Sequence, residues 1–119
     1  MAIKKLLHRL STPVSELDQE RLRKFCATLP GVTPIVDLVP REVSAVVGEI
    51  TSLRIVPRAG SASLEATVSD GTGSVAASWT GRRRIAGVTP GRRLVISGRG
   101  APGGPGARLI FFNPRYELL

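Results

Sequence analysis

At 119 residues the chain has room for one core of ordinary size plus a modest extension, and 42% hydrophobic with 22% charged residues exclude a wholly disordered or fibrous protein. Seventeen Lys and Arg against nine Asp and Glu give a net charge of +8, which favours polyanionic partners such as nucleic acid or acidic lipid. The one cysteine, Cys26, excludes a disulfide scaffold and a cysteine-based zinc site, and a reducing cytoplasm fits it best.

The opening MAIKKLLHRL starts positive like a signal peptide, but His8 and Arg9 break its apolar run and no small-residue cleavage site follows. It reads as a short amphipathic helix with His8 at the surface, too short to anchor in a membrane alone. No stretch reaches the roughly 20 apolar residues of a membrane span. In STPVSELDQERLRKFCATLPG the Ser15 hydroxyl is placed to cap a helix, with Asp18 as the short form of the capping-box acid. Leu22, Phe25, Cys26 and Leu29 then form one apolar stripe that needs a surface to cover, and Pro30 and Gly31 stop the helix. Three prolines, Pro30, Pro34 and Pro40, argue for an extended connector. Residues 1 to 40 are therefore expected to form a helix and connector, and residues 41 to 119 the main domain.

Beyond Arg41 the pattern changes to strand-like runs between turn residues. EVSAVVGEITSLRIVP is long, and Gly48 inside it predicts a bend that lets one strand serve two sides of a barrel. SLEATVS alternates, with Leu64, Ala66 and Val68 on one face and Glu65, Thr67 and Ser69 on the other. A DGTG turn leads to SVAASW, which points Val75, Ala77 and Trp79 inward and Ala76, Ser78 and Thr80 outward. RRLVISGR and ARLIFFN supply the fourth and fifth strands, joined by the loop GAPGGPG. Phe111 and Phe112, being adjacent, point to opposite faces, so one of them lies outside the main core. The expected fold is all-β, a five-stranded barrel with an N-terminal α-helical extension.

Long bent first strand, DGTG turn and a connector after the third strand together resemble the OB-fold. The runs REVSAVVGEITSLRI, LEATVSDGTGSVAASW and GVTPGRRLVISGRG look like the nucleic-acid-binding OB-folds of the helicase-wedge and tRNA-anticodon type. WTGRRRIAGVTPGRRLVISGR with the terminal NPRYEL is similar to small OB-fold proteins of actinobacteria. The resemblance covers residues 41 to 119 and implies binding of single-stranded or structured DNA or RNA, without catalysis.

Charge placement agrees with that implication. Residues 71 to 119 carry eight basic side chains, all arginine, against one carboxylate, Glu117. Arginine's planar fork matches phosphate bidentately. Arg82, Arg83 and Arg84 follow the third strand, and Arg92 and Arg93 open the fourth, so these five are the expected phosphate ligands. Arg58 and Arg108 lie by the two loops that flank the ligand groove of an OB-fold. Trp79 is open to two readings, a core residue at the barrel's edge or a base-stacking platform. The outward residues of strands two and three include no aromatic, so the arginines carry most of the affinity and binding is salt-sensitive with little sequence preference.

One histidine, one cysteine and scattered carboxylates offer no nucleophile and base pair and no metal constellation, so neither enzyme activity, cofactor nor metal is expected. GAPGGPG lacks the Lys and Ser/Thr end of a phosphate-binding loop and precedes a strand. The alternative is a protein-interaction module that docks through the barrel groove or the Leu22, Phe25, Leu29 stripe, or self-associates through that helix.

Overall fold

The computed structural model describes residues 14 to 58 and 60 to 119, with side chains from 17 to 57 and 60 to 119. The short helix expected at Ile3 to Leu10, His8 included, lies outside the described residues. Helix α1 spans Val14–Ala27; the strands are β1 (Val43–Arg58), β2 (Ser61–Ser69), β3 (Ser74–Thr80), β4 (Arg93–Ala101), β5 (Ile110–Phe112) and β6 (Arg115–Leu118). Because α1 takes in Val14, Ser15 falls inside its first turn and not at its cap.

The sheet closes on itself as an OB-like ring. β1 pairs with β2, β2 with β3, β3 in parallel with β5, β5 with β4, and β4 back with β1. The first half of β1, Val43 to Glu49, pairs with β4 and the second half, Glu49 to Arg58, with β2. Gly48 lies at that change of partner, as expected. A Cβ there would come within 2.6 Å of Val68 Cγ1 and 2.7 Å of the Ser69 carbonyl oxygen, so no side chain fits where β1 bends against β2. Gly48→Ala is expected to cost about 1 to 3 kcal/mol through overpacking, read as a lower urea midpoint at unchanged slope.

The strand count differs from the expectation. Among the described residues there are six strands, because the chain continues past β5 into β6, which pairs with β4 at Leu94 to Ser97. Asn113, at φ 49°, turns the chain from the β3 edge to the β4 edge, donating its N–H to the Ser78 carbonyl at 2.6 Å and accepting the Thr80 N–H on its side-chain oxygen at 2.9 Å.

Inward residues Val46, Ile50, Leu64, Val68, Leu94, Ile96 and Phe111 make the main core. Two segments outside the strands contribute to it. Ile85 and Val88, from the crossing between β3 and β4, are buried in it, as is Ile35 from the connector. Asp70, itself buried, ties Ile35 down: Oδ2 accepts the Ile35 N–H at 2.8 Å, while Oδ1 accepts the Thr72 N–H, the Thr72 hydroxyl and the Gly73 N–H. The DGTG turn thus positions the connector as well as reversing the chain, with Gly71 at φ 85°.

The apolar stripe of α1 finds its surface on the outer side of β1 and β4. Leu22 and Cys26 are buried against Val47, with Phe25, Leu29, Val32 and Val95 around them. Burial, helped by the Asp70 charge, pushes the Cys26 thiol up to about 11. At pH 8 its thiolate fraction is then about 100-fold below that of an ordinary cysteine, so alkylation by iodoacetamide is expected to be slowed by at least that factor and restored by denaturant.

Candidate nucleic-acid interface

Arg82, Arg83 and Arg84 follow β3 on a turn set by Gly81, at φ 74°, whose N–H bonds the Ala62 carbonyl at 2.8 Å. All three are exposed, and among the described residues no carboxylate pairs with them. Ser63 lies opposite Thr80 and Arg58 opposite Ser61, so the tip of the β1–β2 hairpin and the arginine run share one end of the barrel. The Arg58 side chain is outside the described residues.

The second arginine pair sits elsewhere. Gly91 N–H bonds the Ile50 carbonyl and the Arg92 carbonyl accepts the Ile50 N–H, which places this end of the crossing on the order of 20 Å along β1 from the Ala62 end. Arg92 is exposed, and its Nε donates to the Leu119 carbonyl at 3.0 Å. Arg93 turns toward the helix: its guanidinium lies 4.3 Å over the Phe25 ring and its Nε 3.7 Å from Glu49 Oε1. A cation over a ring face holds that face. Arg93 therefore serves the docking of α1. Arg108, half-buried, closes the loop between β4 and β5 by its backbone, accepting the Gly104 N–H and donating to the Pro105 carbonyl.

Trp79 is 6% exposed within the main core. Its indole N–H donates to the Pro114 carbonyl at 3.2 Å, and Tyr116 packs edge-on at 5.6 Å between ring centres. The ring spans the gap between β3 and the segment entering β6.

Strand parity placed the faces of β2 and β3 correctly but not their exposure. Glu65 (3% exposed), Ala76 and Ser78, expected outward to solvent, are buried, and so is Ser63. Arg54 reaches across from β1 to Glu65, with Nε and Nη2 each 2.9 Å from Oε1. The Ser63 and Ser78 hydroxyls have no hydrogen-bond partner. Buried as they are, these residues offer a base no open face to stack on.

Sequence reasoning passed over Arg99 and Arg115. The alternation Leu94 and Ile96 inward, Arg93, Val95, Ser97 and Arg99 outward already put Arg99 on the outer side of β4; Arg115 needed β6 to be seen. Among the described residues no three of His, Cys, Asp and Glu converge as a metal site, and no helix is long and apolar enough to cross a membrane.

No family model and no curated protein matches the chain. Among solved structures it is similar to RecG, in a structure of RecG bound to a three-way DNA junction, at a TM-score of 0.60 and 20% identity. The match covers 74% of this chain and 12% of the RecG chain. At that identity the likeness shows the OB-like fold.

Proposed function

We propose that this chain binds single-stranded or structured nucleic acid without catalysis, through arginines on an OB-like barrel, by phosphate contacts with little sequence preference. The observation that carries this reading is the exposed run Arg82, Arg83, Arg84 at the hairpin end of the barrel, on a stretch from residue 71 onward that holds eight arginines and one carboxylate. The DNA-bound structural neighbour supports it. Arg92 and Arg108 serve as supplementary phosphate contacts, and Arg58 sits at the same end as the run. Residues 41 to 119 act as the binding unit and residues 1 to 40 as an N-terminal extension, of which the described helix α1 packs on β1 and β4. Kinship with the actinobacterial OB-fold proteins rests on the sequence resemblance, and a cytoplasmic setting on the lone cysteine.

The test is a fluorescence-anisotropy titration of labelled single-stranded DNA and RNA. Binding that weakens steeply with salt and little with sequence is expected. The adaptor reading is less favoured, because the Leu22, Phe25, Leu29 stripe is turned onto the chain's own barrel.

A further inference from the structure

Two arginines outside the Arg82 to Arg84 run share a groove. It opens where β4, β5 and β6 meet, with a volume of about 400 Å³, and is lined among others by Ser97, Arg99, Asn113 and Arg115 but by no carboxylate. In the register of β4 with β6, Arg115 stands opposite Ser97, and Arg99 follows Ser97 by two residues on the same outer face. The two arginines are therefore diagonal neighbours, with Cβ atoms roughly 7 to 8 Å apart, within reach of long side chains. Both are exposed, and among the described residues neither makes an ion pair. Glu117, the carboxylate of β6, stands opposite Val95, on the far side of Arg115 from Arg99. Arg99 is held in place: its Nη1 donates to the Arg41 carbonyl at 2.8 Å, which leaves other guanidinium N–H groups to donate outward.

The groove adjoins the run. Asn113, on its wall, accepts the Thr80 N–H on Oδ1 at 2.9 Å and donates Nδ2 to the Thr80 hydroxyl at 3.3 Å. Arg82 lies two residues past Thr80 and Arg115 two past Asn113, so the backbone of each is within about 7 Å of that clasp. Two neighbouring guanidinium groups repel each other, an anion between them relieves that repulsion, and the arginine fork fits the oxygens of a phosphate. From this arrangement we infer that the groove seats a phosphate of the bound strand on Arg99 and Arg115, so that the sugar-phosphate backbone passes from the run over Asn113 into the groove. The contact is to phosphate alone and reads no base. The inference rests on the nucleic-acid reading above and extends it to two arginines that reading leaves unused.

The experiment titrates the full chain with a labelled oligothymidylate and with an abasic oligonucleotide of equal length, for wild type, Arg99→Ala, Arg115→Ala and Arg21→Ala. Each groove variant is expected to weaken both strands equally, by about five- to tenfold, and to lower the salt slope by about 0.7. Arg21→Ala removes an exposed charge of α1, away from the groove, and should stay within about twofold of wild type. Far-ultraviolet circular dichroism and Trp79 emission verify that each variant folds. Arg115→Ala leaves the Arg99 bond to the Arg41 carbonyl in place, so it decides the matter even where Arg99→Ala loosens the fold. An Arg115→Ala affinity within about twofold of wild type overturns the groove, as does an equal loss in Arg21→Ala, which would make net charge the cause. A loss confined to the thymidylate overturns it too, because the contact would then be to a base. So does displacement of the strand by inorganic phosphate below about 1 mM at constant ionic strength, the mark of a free-phosphate site. If wild type binds neither oligonucleotide, the function itself fails; if only the Arg82 to Arg84 charge matters, the groove alone fails.

Discussion

Reversing Arg82, Arg83 and Arg84 together to glutamate weakens oligonucleotide binding about 100-fold near 100 mM salt, equally for all sequences, and flattens the salt dependence. Each phosphate contact to a single strand contributes about −0.7 to the slope of log affinity against log salt, so losing all three removes about 2 from it. The side chains are exposed on a turn after β3, and their backbone is fixed by Gly81 and not by the guanidinium groups. The fold should therefore survive, with surface changes of this kind altering stability by less than about 0.5 kcal/mol. Arg93→Glu behaves differently. It loses the ring of Phe25 and repels Glu49, so it loosens α1 before it touches binding. An unchanged affinity and slope in the triple variant would remove the run from the interface.

Truncating Trp79 to alanine is expected to cost about 3 to 5 kcal/mol, a large part of the total stability of a domain this size. Three losses combine: the buried ring itself, the edge contact with Tyr116, and the donor to the Pro114 carbonyl, which is left buried without it. Trp79→Phe keeps most of the volume and should cost about 1 to 2 kcal/mol. Urea unfolding followed by circular dichroism measures both. The same pair separates core from stacking, because Trp79→Phe should bind oligonucleotides as the wild type does. An alanine variant with an unchanged midpoint would contradict the core assignment.

Much of the barrel was legible because it follows from local rules. Leu64, Ala66 and Val68 alternate with polar neighbours, Gly48 marks the bend, and the DGTG turn supplies the reversal between β2 and β3. β6 was not legible: four residues after a proline carry too little pattern, and their pairing depends on Asn113 redirecting the chain. Ile35 looked like connector, since nothing nearby in sequence signals that Asp70, thirty-five residues on, would capture its N–H. For the site, the sequence located the arginines but not their surroundings. Arg92 and Arg93 are neighbours in sequence, yet one faces the Leu119 carbonyl and the other the Phe25 ring. Glu65 and Ser78 had the parity of solvent residues and the burial of core ones, because parity assigns a face and tertiary packing decides what covers it.

The most direct test of nucleic-acid binding is the anisotropy of a labelled single-stranded oligonucleotide of about 20 nucleotides, titrated with the full chain at about 50 and 200 mM salt. Micromolar binding at the lower salt that falls at least about tenfold at the higher is the predicted result. Absence of binding below about millimolar at the lower salt, or an affinity indifferent to salt, would contradict it.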